Sequence, residues 1–231
     1  YVFRDNTSAM KKLISTGLKI LLRAAAPAGV CLILAAGGCE SGSSHLADGH
    51  DFGDNNPLVY VAFGDSITYG SGVTEQYSYP SVLAAMMMRT VAREGYPGAE
   101  SYVGADLVHH ILDGYKPGFI LLLWGVNDLI MGYSEDDIIT NLQYMCQAAI
   151  GNKTIPVLAT LTPVFGEHRN WASGVERVNV RIRALAQAMN VALVDLELAF
   201  KWDPIYIGDD GLHPNALGYN LMAQTFYDVV N

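Results

Sequence analysis

The sequence has few charged residues, and most of those are acidic. Charged side chains make up 16% of the 231 residues and hydrophobic ones 51%, a balance that supports a large buried core and excludes a disordered chain. The formal net charge is −9, and five of the 14 basic residues lie before Glu40, where only one of the 23 acidic residues is found. The remainder of the chain is therefore strongly acidic and repels phosphate backbones, so we expect no nucleic acid among its partners.

Cysteine is scarce as well. Three cysteines cannot form a disulfide framework, and only Cys146 lies outside the N-terminal stretch. We predict that Cys146 is a buried structural thiol. His109 and His110 are adjacent, so their side chains face apart on a helix, and no carboxylate at metal-ligand spacing accompanies them. The sequence also lacks a phosphate-binding G-x-x-x-x-G-K motif and a glycine-rich dinucleotide turn. We predict neither a metal nor a cofactor.

No uncharged run at the N-terminus is long enough for a comfortable bilayer span. Residues 24–38 form a run that suits the hydrophobic region of a signal peptide, and Lys11 and Lys12 directly follow Met10. Small residues then lead into Cys39, a pattern that resembles a bacterial lipoprotein signal. We interpret residues 1–9 as an upstream extension or cloning remnant and residues 10–38 as a signal peptide. The resemblance implies an exported protein, periplasmic or at the cell surface, held to a bacterial membrane by a lipid on Cys39.

Residues 39–57 are rich in glycine and polar side chains and show no apolar period. Such composition is typical of a flexible tether, in which His45 and His50 would be solvated. The folded domain is therefore predicted to occupy residues 58–231.

In that domain, short apolar runs alternate with amphipathic helical patterns. The predicted strands are 58–63, 119–124, 155–160 and 191–194, with a weaker one at 99–103. The predicted helices are 80–95, one from the N-cap Ser134 to 151, one after a capping box of Ser173 and Glu176, and 215–230. Continuous apolar strands between such helices indicate an α/β fold, a parallel sheet of about five strands covered on both faces. Ligands bind such sheets beyond the carboxyl ends of the strands.

Three polar motifs follow these elements in order: G-D-S-I-T at 64–68, G-V-N-D at 125–128 and D-G-L-H-P at 210–214. Each alone is unspecific, but together and in this order they resemble the SGNH hydrolases, also called GDSL lipases and esterases, over residues 58–231. The resemblance implies a three-layer α/β/α fold with a flavodoxin-like sheet, and hydrolysis of esters or thioesters without a metal. The G-x-S-x-G elbow of the α/β-hydrolases is absent.

The motif residues have complementary chemistry. A serine hydroxyl is a poor nucleophile without a base, and His213 could activate Ser66 because imidazole titrates near neutral pH. Asp210, three residues earlier, is close enough to orient that imidazole. The resemblance implies an oxyanion hole formed by the backbone N–H of Ser66, a backbone N–H that is best matched by Gly104, and the side-chain amide of Asn127.

Two neighbouring features are assigned other roles. Asp65 is expected to brace its own loop, and neither Asp65 nor Asp128 is expected to react. The segment 162–171 follows a strand end and mixes aromatic with polar side chains, among them Phe165, His168 and Trp171. Loops at that position line pockets in such sheets, so these three residues either shape the substrate site or belong to a plain surface loop.

The leading hypothesis is an exported serine esterase that cleaves short-chain acyl esters, acetyl-type above all, of a small substrate such as an acylated sugar or lipid. A thioesterase or lysophospholipase acting on lipid-derived substrates, and an acyltransferase, would use the same residues. A non-catalytic carbohydrate-binding lipoprotein with this fold is an alternative from another class. The joint presence of Ser66, Asn127, Asp210 and His213 argues against it, because a binding module needs no such set.

Overall fold

The computed structural model describes residues 45–231. In this part of the chain five strands pair in parallel into one sheet with the order β2-β1-β3-β4-β5. The strands are β1 Asn56–Gly64, β2 Thr90–Gly95, β3 Pro117–Leu123, β4 Ile155–Ala159 and β5 Ala192–Val194. The predicted parallel α/β sheet is confirmed.

Eight α-helices flank the sheet in the described residues. They are α1 Ser66–Tyr69, α2 Tyr79–Met87, α3 Ser101–Tyr115, α4 Val126–Met131, α5 Glu135–Gly151, α6 Ala172–Met189, α7 Leu196–Phe200 and α8 Ala216–Val230. Helix α5 packs against both α3 and α6, whereas α2 and α7 pack against α8. No helix in the described range is both long and apolar enough to cross a membrane.

The central strands form because their side chains are apolar on both faces. All seven residues of β3 are buried, and the ring of Phe119 stacks on that of Tyr60 in β1 with centroids 4.4 Å apart.

Helix α5 begins where it was predicted to begin. The Ser134 hydroxyl accepts the Asp137 N–H at 3.1 Å, and the Asp137 carboxylate accepts the Ser134 N–H at 3.3 Å. These bonds satisfy backbone groups that the first helical turn would otherwise leave unpaired.

The region between β1 and β3 differs from the prediction. Helix α2 ends at Met87, and Met88 follows in the left-handed conformation with φ 51°. Val91, predicted on a helical face, lies in β2 and pairs with Tyr60. The predicted strand at 99–103 is wrong, because α3 begins at Ser101. The edge strand β2 is only half-buried and has no continuous apolar run, so its apolar residues also fit a helical period.

The start of α6 also differs. The helix begins at Ala172, directly after a 3₁₀ turn at Gly166–Trp171, so Ser173 and Glu176 lie within the helix and form no capping box.

The predicted flexible tether is wrong for residues 45–57, which pack against the domain. The ring of Phe52 lies 6.0 Å from that of Phe119, and the Asp51 carboxylate binds the Lys153 ammonium at 2.6 Å. The partners lie more than sixty residues away in sequence, which composition alone does not show. The predicted extension, signal peptide and lipidation site lie outside the described residues.

Candidate active site

Ser66 lies where the central strand β1 ends and α1 begins. Its side chain is 6% exposed. The Asp65 carboxylate accepts the Ile67 N–H at 2.8 Å and so caps the short helix, which is the bracing role expected for this residue. Gly64 is wedged in place: a Cβ there would lie 2.5 Å from the Leu123 carbonyl oxygen and would also collide with the Thr68 hydroxyl. The nucleophile candidate is therefore fixed by tightly packed backbone.

The loop between α7 and α8 brings an acid and a base to Ser66. Nε2 of His213 lies 2.8 Å from the Ser66 hydroxyl oxygen, and Nδ1 lies 2.6 Å from one Asp210 carboxylate oxygen. The other Asp210 oxygen accepts the backbone N–H of Leu212 and of His213, each at 2.9 Å. Because a carboxylate only accepts, Nδ1 carries a hydrogen, and Nε2 is left to accept the serine proton. The structure thus joins the three residues into one hydrogen-bonded relay.

The pKa values of Asp65 and Asp210 are shifted in opposite directions. Complete burial raises the pKa of Asp65 to about 7, against a weaker opposing effect of the Ile67 N–H. Partial burial also acts to raise the pKa of Asp210, but the hydrogen bonds from the His213 ring and from two backbone N–H groups outweigh it and hold that pKa below its usual value. Asp210 is therefore the carboxylate suited to stabilise an imidazolium.

Asn127 and Asp128 stand at the start of α4, beyond the carboxyl end of β3. The Asn127 amide nitrogen donates to the Ala99 carbonyl oxygen at 2.8 Å. The buried Asp128 carboxylate accepts the backbone N–H of Ser101 at 2.8 Å and its hydroxyl at 2.6 Å. Asp128 thus holds the first turn of α3, while Asn127 is oriented toward the loop that precedes α3.

The assignment of an oxyanion donor to Gly104 is corrected. Gly104 lies inside α3 and is buried, and a Cβ at this position would lie 2.8 Å from the Trp124 indole and 3.0 Å from the Met145 sulfur. Its place is therefore in the packing of α3 against the core, where the missing side chain permits close approach. Trp124 is fully buried, as expected of a core residue.

Gly98 is a candidate backbone donor that was not predicted from the sequence. It lies in the loop between β2 and α3 with φ +78°, and a Cβ there would meet nothing within 4 Å. In the described part of the chain its N–H donates no hydrogen bond, and the next residue, Ala99, accepts the amide of Asn127. The signal that could have found it is the G-Y-P-G stretch at 95–98, which begins at the last residue of β2. The predicted helix 80–95 concealed that strand end.

The segment around Phe165 supports the acid–base loop. The Phe165 N–H donates to the Gly211 carbonyl oxygen at 2.7 Å, and Nδ1 of His168 lies 2.9 Å from the Asp210 carbonyl oxygen. Trp171 lies next to the His168 ring, with centroids 5.6 Å apart. Phe165 and His168 therefore contact the loop that carries Asp210 and His213, whereas Trp171 contacts His168.

Two further candidates are placed away from this relay. Cys146 is fully buried, as predicted, and burial raises the pKa of its thiol to about 12, which leaves it unreactive near neutral pH. Nε2 of His109 lies 3.2 Å from the Tyr144 hydroxyl. Among residues 45–231 no three His, Cys, Asp or Glu side chains are grouped so as to hold a metal ion.

Comparison with known proteins agrees with this geometry. The model of the GDSL-like Lipase/Acylhydrolase family matches residues 62–221, which include every residue of the relay. The chain belongs to this family. No curated protein sequence gives a significant match. As a GDSL hydrolase, the protein acts on ester bonds.

Solved structures support the fold assignment of this GDSL hydrolase. A lipolytic protein of the G-D-S-L family from Veillonella parvula is 22% identical, with a TM-score of 0.67 over 74% of this chain and 97% of its own. The carbohydrate acetylesterase Est24 from Sinorhizobium meliloti is 15% identical, with a TM-score of 0.65 over 74% and 96%. The acetyl xylan esterase AlAXEase is 20% identical, with a TM-score of 0.66 over 75% and 100%. At these identities the likeness shows the shared fold.

Proposed function

We propose that this GDSL hydrolase is an exported serine esterase that removes short acyl groups, acetyl above all, through an acyl-enzyme intermediate. The observation that carries the proposal is the continuous relay from the Ser66 hydroxyl through both ring nitrogens of His213 to the Asp210 carboxylate. The protonation states that these hydrogen bonds require are those of a base ready to accept the serine proton.

The proposed reaction proceeds in two halves. As Ser66 Oγ bonds to the ester carbonyl carbon, its proton passes to His213 Nε2, and the carbonyl electron pair moves onto oxygen. The intermediate collapses by breaking the bond to the alcohol, which takes the proton from His213. Water then attacks the acyl-serine in the same way, releases the acid and regenerates the hydroxyl. Throughout, Asp210 stabilises the imidazolium without taking its proton.

The oxyanion is proposed to bind the backbone N–H of Ser66, the N–H of Gly98 and the side chain of Asn127. An amide nitrogen carries two hydrogens, and the bond to Ala99 uses one and orients the other. Asn127→Ala should lower kcat by about 10²–10³-fold with a much smaller change in KM, because the donor acts mainly in the transition state. Unchanged kcat in a folded variant would remove Asn127 from the oxyanion hole.

The first experiment tests the nucleophile. Ser66→Ala should reduce hydrolysis of p-nitrophenyl acetate by about 10⁴-fold or more and abolish labelling by a fluorophosphonate probe. Ser173→Ala, an exposed serine on α6, is the matched control and should retain both. Full activity in Ser66→Ala would refute the mechanism, and a wild-type protein that the probe does not label would favour the non-catalytic carbohydrate-binding alternative.

A second experiment concerns the acyl group. We expect kcat/KM to fall from acetyl to octanoyl p-nitrophenyl esters, and to be lower still for an acyl thioester and a lysophospholipid. The names of Est24 and AlAXEase support this order, since both are described as acetylesterases. A preference for the thioester or the lysophospholipid would instead assign the lipid-derived substrate class.

Export and anchoring are proposed from the sequence. The basic Lys11 and Lys12, the uncharged run at 24–38 and the small residues before Cys39 support a lipoprotein signal. Mass spectrometry of the protein expressed in a bacterium with this N-terminus should find Cys39 as the first residue, carrying lipid. Cys39→Ser should release the protein from the membrane fraction, and an unmodified Cys39 would refute lipidation.

A further inference from the structure

Two exposed tyrosines form an aromatic pair, Tyr102 in the first turn of α3 and Tyr133 just after the end of α4. Tyr102 is 45% exposed and Tyr133 is 44% exposed, and their ring centroids are 6.1 Å apart with planes inclined by 49°. We call this pair the tyrosine platform. Aromatic rings left exposed in a group are costly to hydrate and commonly mark a binding surface.

The platform is attached to the active site through Asp128. The Asp128 carboxylate holds Ser101, which directly precedes Tyr102, and the Asp128 carbonyl oxygen accepts the Tyr133 N–H at 2.9 Å. Asp128 in turn directly follows Asn127. The backbone of both tyrosines is therefore fixed relative to the side chain proposed to bind the oxyanion, although the rings themselves are open to solvent.

A shallow, open groove of about 450 Å³ begins at Tyr133 and lies between α4, α5 and α6. Its lining includes Leu129, Tyr133, Glu135, Asp136, Arg177 and Arg181. Arg177 binds Glu135 at 2.7 Å, and Arg181 binds Asp136 at 2.6 Å. Each guanidinium is thus paired with a carboxylate, so the groove offers hydrogen-bond donors and acceptors with little net charge.

This combination selects among ligand classes. An anionic headgroup would have to compete with the carboxylates that already occupy both guanidinium groups. An acyl chain would cover charged side chains and remove their water, which costs free energy. A neutral polyhydroxylated ring meets neither obstacle, because its C–H faces can lie on tyrosine rings while its hydroxyls bond to the charged groups.

We propose that the tyrosine platform and the adjoining groove bind the alcohol half of the substrate, and that this half is a neutral sugar. The inference rests on the proposed esterase activity and narrows it to acylated carbohydrates. Tyr102 and Tyr133 would then set specificity by holding the sugar while Ser66 attacks the ester that it carries.

The test compares two substrates across platform variants. For Tyr102→Ala and Tyr133→Ala, the ratio of kcat/KM on acetylated xylotetraose to that on p-nitrophenyl acetate should fall by about three- to tenfold each, mainly through KM, because each aromatic contact contributes a modest binding term. Tyr→Phe at both positions should restore the ratio, since the ring face is kept. Tyr144→Ala is the control: this tyrosine of α5 is 46% exposed and lies outside the platform.

Direct binding separates this inference from the esterase proposal. In a Ser66→Ala background, calorimetry should detect acetylated xylotetraose binding that the double alanine variant weakens by about tenfold or more. Binding that the double variant leaves unchanged, or a wild-type protein that cleaves p-nitrophenyl acetate but neither binds nor cleaves the acetylated sugar, would overturn the platform alone. A larger loss on p-nitrophenyl octanoate than on the sugar would also overturn it, by assigning the tyrosines to the acyl chain. Failure to cleave any ester, with sugar binding intact, would overturn only the esterase.

Discussion

Ser66 and His213 are in hydrogen-bonding contact, yet the loops that carry them are built differently. The Ser66 loop follows the buried strand β1 directly, and its glycine is enclosed by the backbone of the next strand. The His213 loop lies outside the sheet, and the Asp210 side chain is half exposed. It keeps its shape through hydrogen bonds that the N–H groups of its own backbone donate to the Asp210 carboxylate and through contacts with the Phe165 segment.

The two halves of the relay are therefore positioned by different interactions. The backbone of Ser66 is held by the core, so substitutions that distort this backbone should lower the free energy of unfolding of the whole domain. The base takes its position from a few local hydrogen bonds, which can open without unfolding the domain. Substitutions in the second loop should therefore reduce activity much more than stability.

Within the loop that carries Asp210 and His213, the largest effect on activity is expected at Asp210. Asp210→Asn should lower kcat for p-nitrophenyl acetate by about 10⁴-fold, because the amide cannot stabilise the imidazolium or hold the required tautomer. Its melting temperature should change little, since the side chain is half exposed. Asp209→Asn, the adjacent carboxylate, is the control and should keep its activity. Equal losses in the two variants would mean that the charge of the loop matters more than the contact with His213.

Alanine in place of glycine should separate the two loops by their stability. Gly64→Ala should destabilise the domain by about 3 kcal/mol, because its Cβ would strike the backbone of β3. Gly211→Ala places a Cβ against the Phe165 carbonyl at φ +74° and should cost activity by about 10–100-fold with a smaller fall in stability. Gly114→Ala, with open space around it in α3, should be neutral or slightly stabilising. Urea unfolding and ester hydrolysis should be measured on all three variants. A Gly211→Ala protein less stable than Gly64→Ala would contradict the proposed difference between the two loops.

The same division explains what could be predicted from the sequence. The strands β1, β3 and β4 are predictable because they lie in the middle of the sheet and contain continuous apolar runs that are too short for a buried helix. The edge strand β2 buries only part of its surface, and its pattern does not distinguish a strand from a helix. Because β2 was misplaced, the glycine of the oxyanion hole was assigned to Gly104, which is a packing residue, and Gly98, which we propose for that role, was not considered.

Motif chemistry predicted the relay better than pattern predicted the surrounding loops. Ser66, Asp210 and His213 were expected to meet because only their joint arrangement gives each residue a chemical use, and the structure brings them together. The support given by Phe165 and His168 depends on backbone carbonyls, which carry no sequence signature. The packing of residues 45–57 on the loop near Lys153 is likewise a long-range contact that composition does not reveal.

The two aspartates predict opposite effects of pH on stability. In the folded protein buried Asp65 keeps its proton up to about pH 7, whereas in the unfolded chain it loses it near 3.8. The folded state binds more protons over this interval, so Asp65 lowers stability as pH rises, by at most about 1.4 kcal/mol per pH unit. Asp210, with its lowered pKa, instead contributes stability above its unfolded value, and this is lost as pH falls through the folded value.

Asp65→Asn should remove the first of these effects. The asparagine oxygen can still accept the Ile67 N–H, so the cap is kept while the titrating proton is lost. The gain in stability of the variant over wild type should increase from about pH 4 to pH 7 and level off above it. Urea unfolding at several pH values measures this difference, and two curves that stay parallel would show that Asp65 is ionised throughout.

The smallest expected effect tests how the acid–base loop is held from behind. A carbonyl oxygen only accepts, so Nδ1 of His168 must donate to Asp210, and this remains possible whether the ring is neutral or protonated. One such bond at an exposed site contributes only a modest free energy to holding Asp210 in place. His168→Ala should therefore lower kcat by about two- to tenfold and leave KM nearly unchanged. His109→Ala, which removes only a contact with Tyr144, should leave kcat unaltered. If His168→Ala matched Asp210→Asn in its loss, the ring would have to act on the reacting atoms themselves. If it changed nothing, the hydrogen bonds within the loop and the Phe165 contact with Gly211 would hold the loop without His168.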